Sequence, residues 1–151
     1  IKGVDLMAVN ESAFIKLVPQ SARQSITVDD LKGLLLQYKD AGTKTGQQIS
    51  WDYDHHSFPY EIKQKDDGNQ RWFYLASDDE RYNLIAFAID QETVKGKETE
   101  QIQTYIQVTL GDHSTSGDKA KANELCRYLG RTLQAELHLF NKRIMYFYKR
   151  K

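Results

Sequence analysis

Cysteine occurs once, proline twice, and net charge not at all. Each scarcity excludes something. A single cysteine cannot close an internal disulfide, which points to a reducing, intracellular compartment and a cytoplasmic protein. Basic and acidic residues balance at 21 each, so no global field draws the chain toward nucleic acid or a membrane surface. No apolar run approaches the roughly 20 residues of a membrane span. Residues Ile1–Asn10 lack the continuous apolar core of a signal peptide. Absent too are G-x-S-x-G, a P-loop, G-x-G-x-x-G and any cysteine pair. With no nucleophile–base constellation in view, the expectation leans away from an enzyme and requires no cofactor.

What is present is periodicity. Ala122, Leu125, Cys126, Leu129, Leu133, Leu137 and Phe140 recur at spacings of three and four, which predicts a long helix over Asp118–Phe140. Thr115 and Asp118 offer a capping box at its start, with Asn141 as its stop. Gly130 lowers helix propensity by about 1 kcal/mol relative to alanine, so close approach to a sheet is the expected reason for it. Cys126, on the buried stripe, reads as a small core residue. An aromatic strand, Ile144–Tyr148, follows.

Earlier in the chain, Ala13–Val18 alternates like a strand and Pro19 closes it. A second helix opens with Thr27 as cap, Asp30 three residues on, and Ile26 with Leu31 as a hydrophobic staple. Its apolar face is Val28, Leu31, Leu34, Leu35 and Tyr38, and Gly42 is expected to end it. The segment Thr43–Pro59 is polar, with a short strand near Ile49–Tyr53. Tyr60–Lys65 and Arg71–Ser77 flank Asp66-Asp67-Gly68-Asn69, a hairpin signal. Asn83–Asp90 reads as a central strand, Gln91–Gln101 as a charged loop, and Ile102–Leu110 as a strand with one wet face.

Strand, helix, several strands, helix, strand predicts an α+β two-layer sandwich. A mainly antiparallel sheet of about five to seven strands is covered on one face by two helices, the C-terminal one long. Residues 1–10 are read as a cloning remnant or disordered start, with Met7 a candidate native initiator. Residues 11–151 then form a single domain, long enough to bury a core.

Chemistry-bearing residues concentrate in Trp51-Asp52-Tyr53-Asp54-His55-His56. In an extended segment Asp52, Asp54 and His56 share one side and could serve a metal-dependent hydrolase. The competing reading, a polar loop whose carboxylates bond locally, is preferred, so no metal is assigned. Ser114, Thr115 and Ser116 beside Asp112 and His113 could bind an anion, but capping explains them better. His138 is expected to be solvated. Lys142, Arg143, Lys149, Arg150 and Lys151 bracket Tyr146, Phe147 and Tyr148, the pattern of a weak single-stranded nucleic-acid binder using the C-terminal strand. Tyr105, Trp72 or Tyr74 could stack bases on an open sheet face. Zero net charge and the acidic run Asp78-Asp79-Glu80 make this the weaker reading.

The stretch Phe14-Ile15-Lys16-Leu17-Val18-Pro19-Gln20-Ser21 is followed by the capped helix, Lys44-Thr45-Gly46, Trp51-Asp52-Tyr53 and Phe58-Pro59-Tyr60. Together these resemble an uncharacterised bacterial family, a domain of unknown function. The likeness spans Glu11 to the C-terminus. It implies a small cytoplasmic bacterial α+β protein and brings no catalytic residues. The resulting expectation is a non-enzymatic binding or protein-interaction module for an unidentified protein or small molecule. Its contact residues would be the aromatics Trp51, Tyr53, Tyr60, Trp72 and Tyr74. A second apolar line on the C-terminal helix (Tyr128, Ala135, Leu139) would make a homodimer.

Overall fold

The computed structural model describes residues 11–49, 58–64, 71–96 and 98–149, with side chains of the first segment described through Ala41. Asp52, Asp54 and His56, like Trp51 and Tyr53, lie outside the described residues, as do the Asp66–Asn69 turn and residues 1–10.

Among the described residues seven strands form one open antiparallel sheet. They are β1 (Glu11–Lys16), β2 (Glu61–Lys63), β3 (Trp72–Ala76), β4 (Leu84–Lys95), β5 (Glu100–Leu110), β6 (Glu136–His138) and β7 (Ile144–Tyr146), in the order β2-β3-β4-β5-β1-β6-β7. Two helices, α1 (Val28–Ile49) and α2 (Ser116–Leu133), cover one face. The architecture is therefore the expected α+β sandwich. Strand alternation builds the core: Ala13 and Ile15, Phe73 and Leu75, Ile85 and Phe87, and Ile106 and Val108 all turn toward the helices and are buried. In register, Phe73 faces Phe87, and their rings stack at 5.4 Å. Leu31 and Leu35 of α1 and Leu125, Leu129 and Leu133 of α2 close the cluster from above.

The start of α1 follows its local signals. Thr27 Oγ1 accepts the Asp30 N–H at 3.0 Å, and Asp30 Oδ2 accepts the Thr27 N–H at 3.2 Å. The helix does not stop at Gly42 but continues to Ile49. A glycine weakens a helix yet ends it only where the backbone turns left-handed, and none of the non-glycine positive-φ residues lies there. The segment Gln91–Gln101 is likewise not a loop. β4 runs on to Lys95 and β5 begins at Glu100, with a Gly96 N–H bond to the Thr99 carbonyl closing the hairpin.

The largest departure concerns the C-terminal helix. The capping box at Thr115 and Asp118 is formed, but α2 ends at Leu133, not Phe140. Gln134 takes the left-handed conformation (φ 53°), its N–H reaching the Arg131 carbonyl while Ala135 N–H reaches that of Gly130. That is a Schellman ending made without glycine. The chain reverses into β6, which pairs with β1, and β7 adds outside it, ending at Tyr146. The supposed second helical line therefore does not exist as a surface. Ala135 is fully buried and Leu139 is 8% exposed, both in the core. Tyr128 packs edge-on against Tyr38 at 5.2 Å. Gly130 serves close approach as expected, though to Phe147: a Cβ there would sit 2.8 Å from that ring.

Candidate functional site

Because both helices lie on one side, the alternate residues of every strand meet on the other. Pairing registers fix their neighbours. Across the middle of this open face run Trp72, Ala88, Gln107, Phe14, His138 and Ile144, each beside the next. A second row places Tyr74 beside Ala86, Thr109 and Ser12. A third carries Asp90, Tyr105, Lys16, Glu136 and Tyr146.

The relief of this face is uneven. Trp72 and Tyr74 stand as one aromatic ridge, their rings 6.1 Å apart and nearly parallel. Phe14 and Tyr105 make a second, edge-to-face at 5.7 Å. Between them the floor is lowest at Ala86 and Ala88 of β4, and continues through Gln107 and Thr109 of β5 to Ser12 of β1. Its polar groups satisfy one another, Ser12 Oγ lying 3.2 Å from Thr109 Oγ1 and accepting from Gln107 Nε2 at 3.1 Å. Trp72 on β3 and Phe14 on β1 are three strand spacings apart, roughly 14 Å, whereas Tyr105 on β5 is two spacings from β3. The result is a shallow trough with aromatic walls.

Beyond Phe14 the face turns polar. Glu136 Oε2 lies 2.8 Å from His138 Nε2, and Glu136 Oε1 accepts the Tyr148 hydroxyl at 2.9 Å. His138 is thus half-buried and paired, not solvated. Lys16 bridges to Glu92 at 3.2 Å, and Gln103 donates to the same carboxylate. Burial, then Asp90 and Glu92, push the Tyr105 hydroxyl above its ordinary pKa.

Of the anticipated contact aromatics, the structure brings together Trp72 and Tyr74. Tyr60 is not a surface residue. It is buried and donates its hydroxyl to Asp118 Oδ1 at 2.6 Å. Desolvation and that bond raise its pKa far above the usual phenol value. Asp118 itself is fully buried and also accepts the N–H groups of Asn83 and Thr115, so it ties β4 and the start of α2 together. This node is structural. Lys121, 7% exposed, is held between Tyr38 Oη and Glu124 Oε1, both at 3.2 Å, and burial lowers its pKa. Burial pushes the Cys126 thiol up to about 12, which leaves it no thiolate chemistry near neutral pH.

Phe14, Glu136 and His138 were not anticipated as site residues. The last two fall within the helix that the periodicity predicts over Asp118–Phe140, whereas the structure places them in β6. The period-two pattern of Ala135, Leu137 and Leu139 against Glu136 and His138 was the available signal. Among the described residues no group of three or more His, Cys, Asp or Glu could hold a metal ion, and no helix is long and apolar enough to cross a membrane.

A family model described as a domain of unknown function, DUF1885, matches residues 11–149. The chain belongs to that family. A solved structure, a protein of unknown function from Bacillus stearothermophilus, is similar to it. The two are 36% identical, the TM-score is 0.53, and the match covers 83% of this chain and 92% of that one. No curated protein matches the chain. Membership in DUF1885 agrees with the bacterial domain of unknown function that the sequence resembled, and it assigns no activity.

Proposed function

We propose that this DUF1885 protein is a non-enzymatic, cytoplasmic interaction module that receives a peptide segment of a partner protein on the open sheet face. The observation that carries the reading is the trough between Trp72–Tyr74 and Phe14–Tyr105, floored by Ala86 and Ala88. Paired aromatic ridges offer large apolar area at low entropic cost, and a low floor leaves room for a side chain between them. The charge on this face favours a peptide with basic residues over a nucleic acid. By register it carries Glu61, Asp90, Glu92 and Glu136; among the described residues the first three are paired with Lys63, Arg71 and Lys16, which leaves Glu136 without a lysine or arginine partner. A phosphate backbone would find no net positive field there. Burial of the free Cys126 suits the reducing compartment.

The test is selection of displayed random peptides on the immobilised protein, repeated with Ala88→Arg, which fills the trough floor without touching the core. Peptides enriched by the wild type and lost on Ala88→Arg are the expected result. Failure to enrich any peptide, or equal retention by Ala88→Arg, would overturn the proposal.

A further inference from the structure

The two ends of the sheet are finished differently. Among the described residues β2 closes one end and β7 the other. β2 is guarded by charge: Glu61 and Lys63 are exposed on it and pair at 3.5 Å, and charged side chains discourage a further strand. β7 carries apolar side chains instead. Ile144 and Tyr146 stand on its open-face side, in register with His138 and Glu136, and are 42% and 41% exposed. The backbone of Ile144 also turns outward. Leu139 N–H bonds to the Arg143 carbonyl and Phe147 N–H to that of Ala135, so by alternation Met145 bonds toward β6 and Ile144 presents its N–H and C=O to the edge. An apolar edge strand with outward amides is a template for another strand.

Charge selects which strand. Lys142 and Arg143 are exposed at the entrance of β7, while Glu136 on β6 has no lysine or arginine partner among the described residues. A second β7 laid antiparallel, with Ile144 opposite Ile144, places its Lys142 opposite Tyr146, next in line to Glu136. Its Arg143 falls opposite Met145, so no like charges meet. Moving the pairing one residue toward the turn sets Arg143 against itself, which is unfavourable. We infer that β7 pairs with β7 of a second copy of this chain, about a two-fold axis at Ile144, joining the two sheets into one. The contact is short, so association is weak and concentration-dependent. It leaves the trough open, because β7 lies two strands beyond β1, and so stands apart from the proposed peptide site.

Sedimentation equilibrium of the full chain between about 10 μM and 1 mM should show monomer and dimer in exchange. Ile144→Lys sets two lysines face to face on the axis and lies outside the core, so it should weaken association at least about tenfold while unfolding like the wild type. Ile144→Cys supplies a second, independent readout. Residues opposite each other in a bonded antiparallel pair have Cα atoms about 5.5 Å apart, within the span of a disulfide. Mild oxidation should therefore cross-link Ile144→Cys into a dimer and leave Glu61→Cys, at the other end of the sheet, largely monomeric; the buried Cys126 adds no cross-link of its own. Three results would overturn the proposal. They are a wild type that stays monomeric throughout, which would leave this edge to a strand of a different protein, association unchanged by Ile144→Lys, and cross-linking of Glu61→Cys as readily as Ile144→Cys.

Discussion

Replacing Asp118 by alanine tests whether one buried carboxylate fastens the sheet to α2. The side chain is wholly enclosed and serves four donors from three parts of the chain: Tyr60 Oη at 2.6 Å, the Asn83 and Leu84 N–H groups at 2.9 and 3.4 Å, and the Thr115 N–H at 3.0 Å. A hydrogen bond to a charged group contributes about 1.5–3 kcal/mol, and a donor stranded in the interior costs a further 1–3 kcal/mol. Thr115 and Asn83 are near enough to the surface for water to take over part of their bonding, whereas Tyr60 is buried. Asp118→Ala should therefore cost about 3–5 kcal/mol, a large share of the roughly 5–15 kcal/mol that holds a domain folded. Tyr60→Phe removes a single donor and leaves the carboxylate its backbone partners, so it should cost about 1–2 kcal/mol. Urea unfolding of the wild type, both single variants and the double variant closes a cycle. The double should be milder than the sum by at least about 1 kcal/mol, because the Tyr60 hydroxyl is stranded only where tyrosine is present. Independent contributions within error, or an Asp118→Ala loss below about 1 kcal/mol, would refute the assignment of this carboxylate as a shared anchor.

Two further outcomes follow from packing and burial. Gly130→Ala gains about 1 kcal/mol in helix propensity, but its Cβ would meet the Phe147 ring at 2.8 Å, so a net loss of about 1–2 kcal/mol is expected in thermal or urea unfolding. Stability equal to or above the wild type would show that Phe147 moves aside freely. The Cys126 thiol, raised by burial to about 12 from an ordinary value near 9, stays protonated in the fold after the unfolded chain has ionised. Its contribution is complete below pH 9 and drains as pH rises from there toward 12, at up to about 1.4 kcal/mol per pH unit. Cys126→Ala should remove that part of the alkaline slope in urea titrations at pH 8 and pH 10. An unchanged slope would place the thiol in contact with water.

Short-range features of this fold were legible in the sequence. The entrance of α1 is written within six residues, since Ile26, Thr27, Asp30 and Leu31 form cap and staple without help from elsewhere. β5 declared itself because one face is buried and the other half-wet along its whole inner length. The exit of α2 was not legible. Gln134 carries no mark of a left-handed residue, and Leu133, Leu137 and Phe140 fall at helical spacing although the last two belong to the segment beyond the turn. The trough was only half visible for a different reason. Trp72 and Tyr74 share a strand and show their common side by alternation, whereas Phe14 and Tyr105 become neighbours through the pairing of β1 with β5. No local pattern encodes which distant strand lies alongside.

The position of β1 also sets an order of events during synthesis. This early strand lies between β5 and β6, so its partners leave the ribosome long after it does. Until then Ala13 and Ile15 present an apolar edge with unpaired amides on both sides, the kind of surface on which chains associate wrongly. The meander of β3, β4 and β5 can assemble earlier from nearby segments, and it supplies the template onto which β1 must return over a long loop. β6 then covers the remaining edge of β1. A chain interrupted after α2 would retain most of its core residues and still display that edge, so premature termination there threatens solubility more than the few missing residues would indicate.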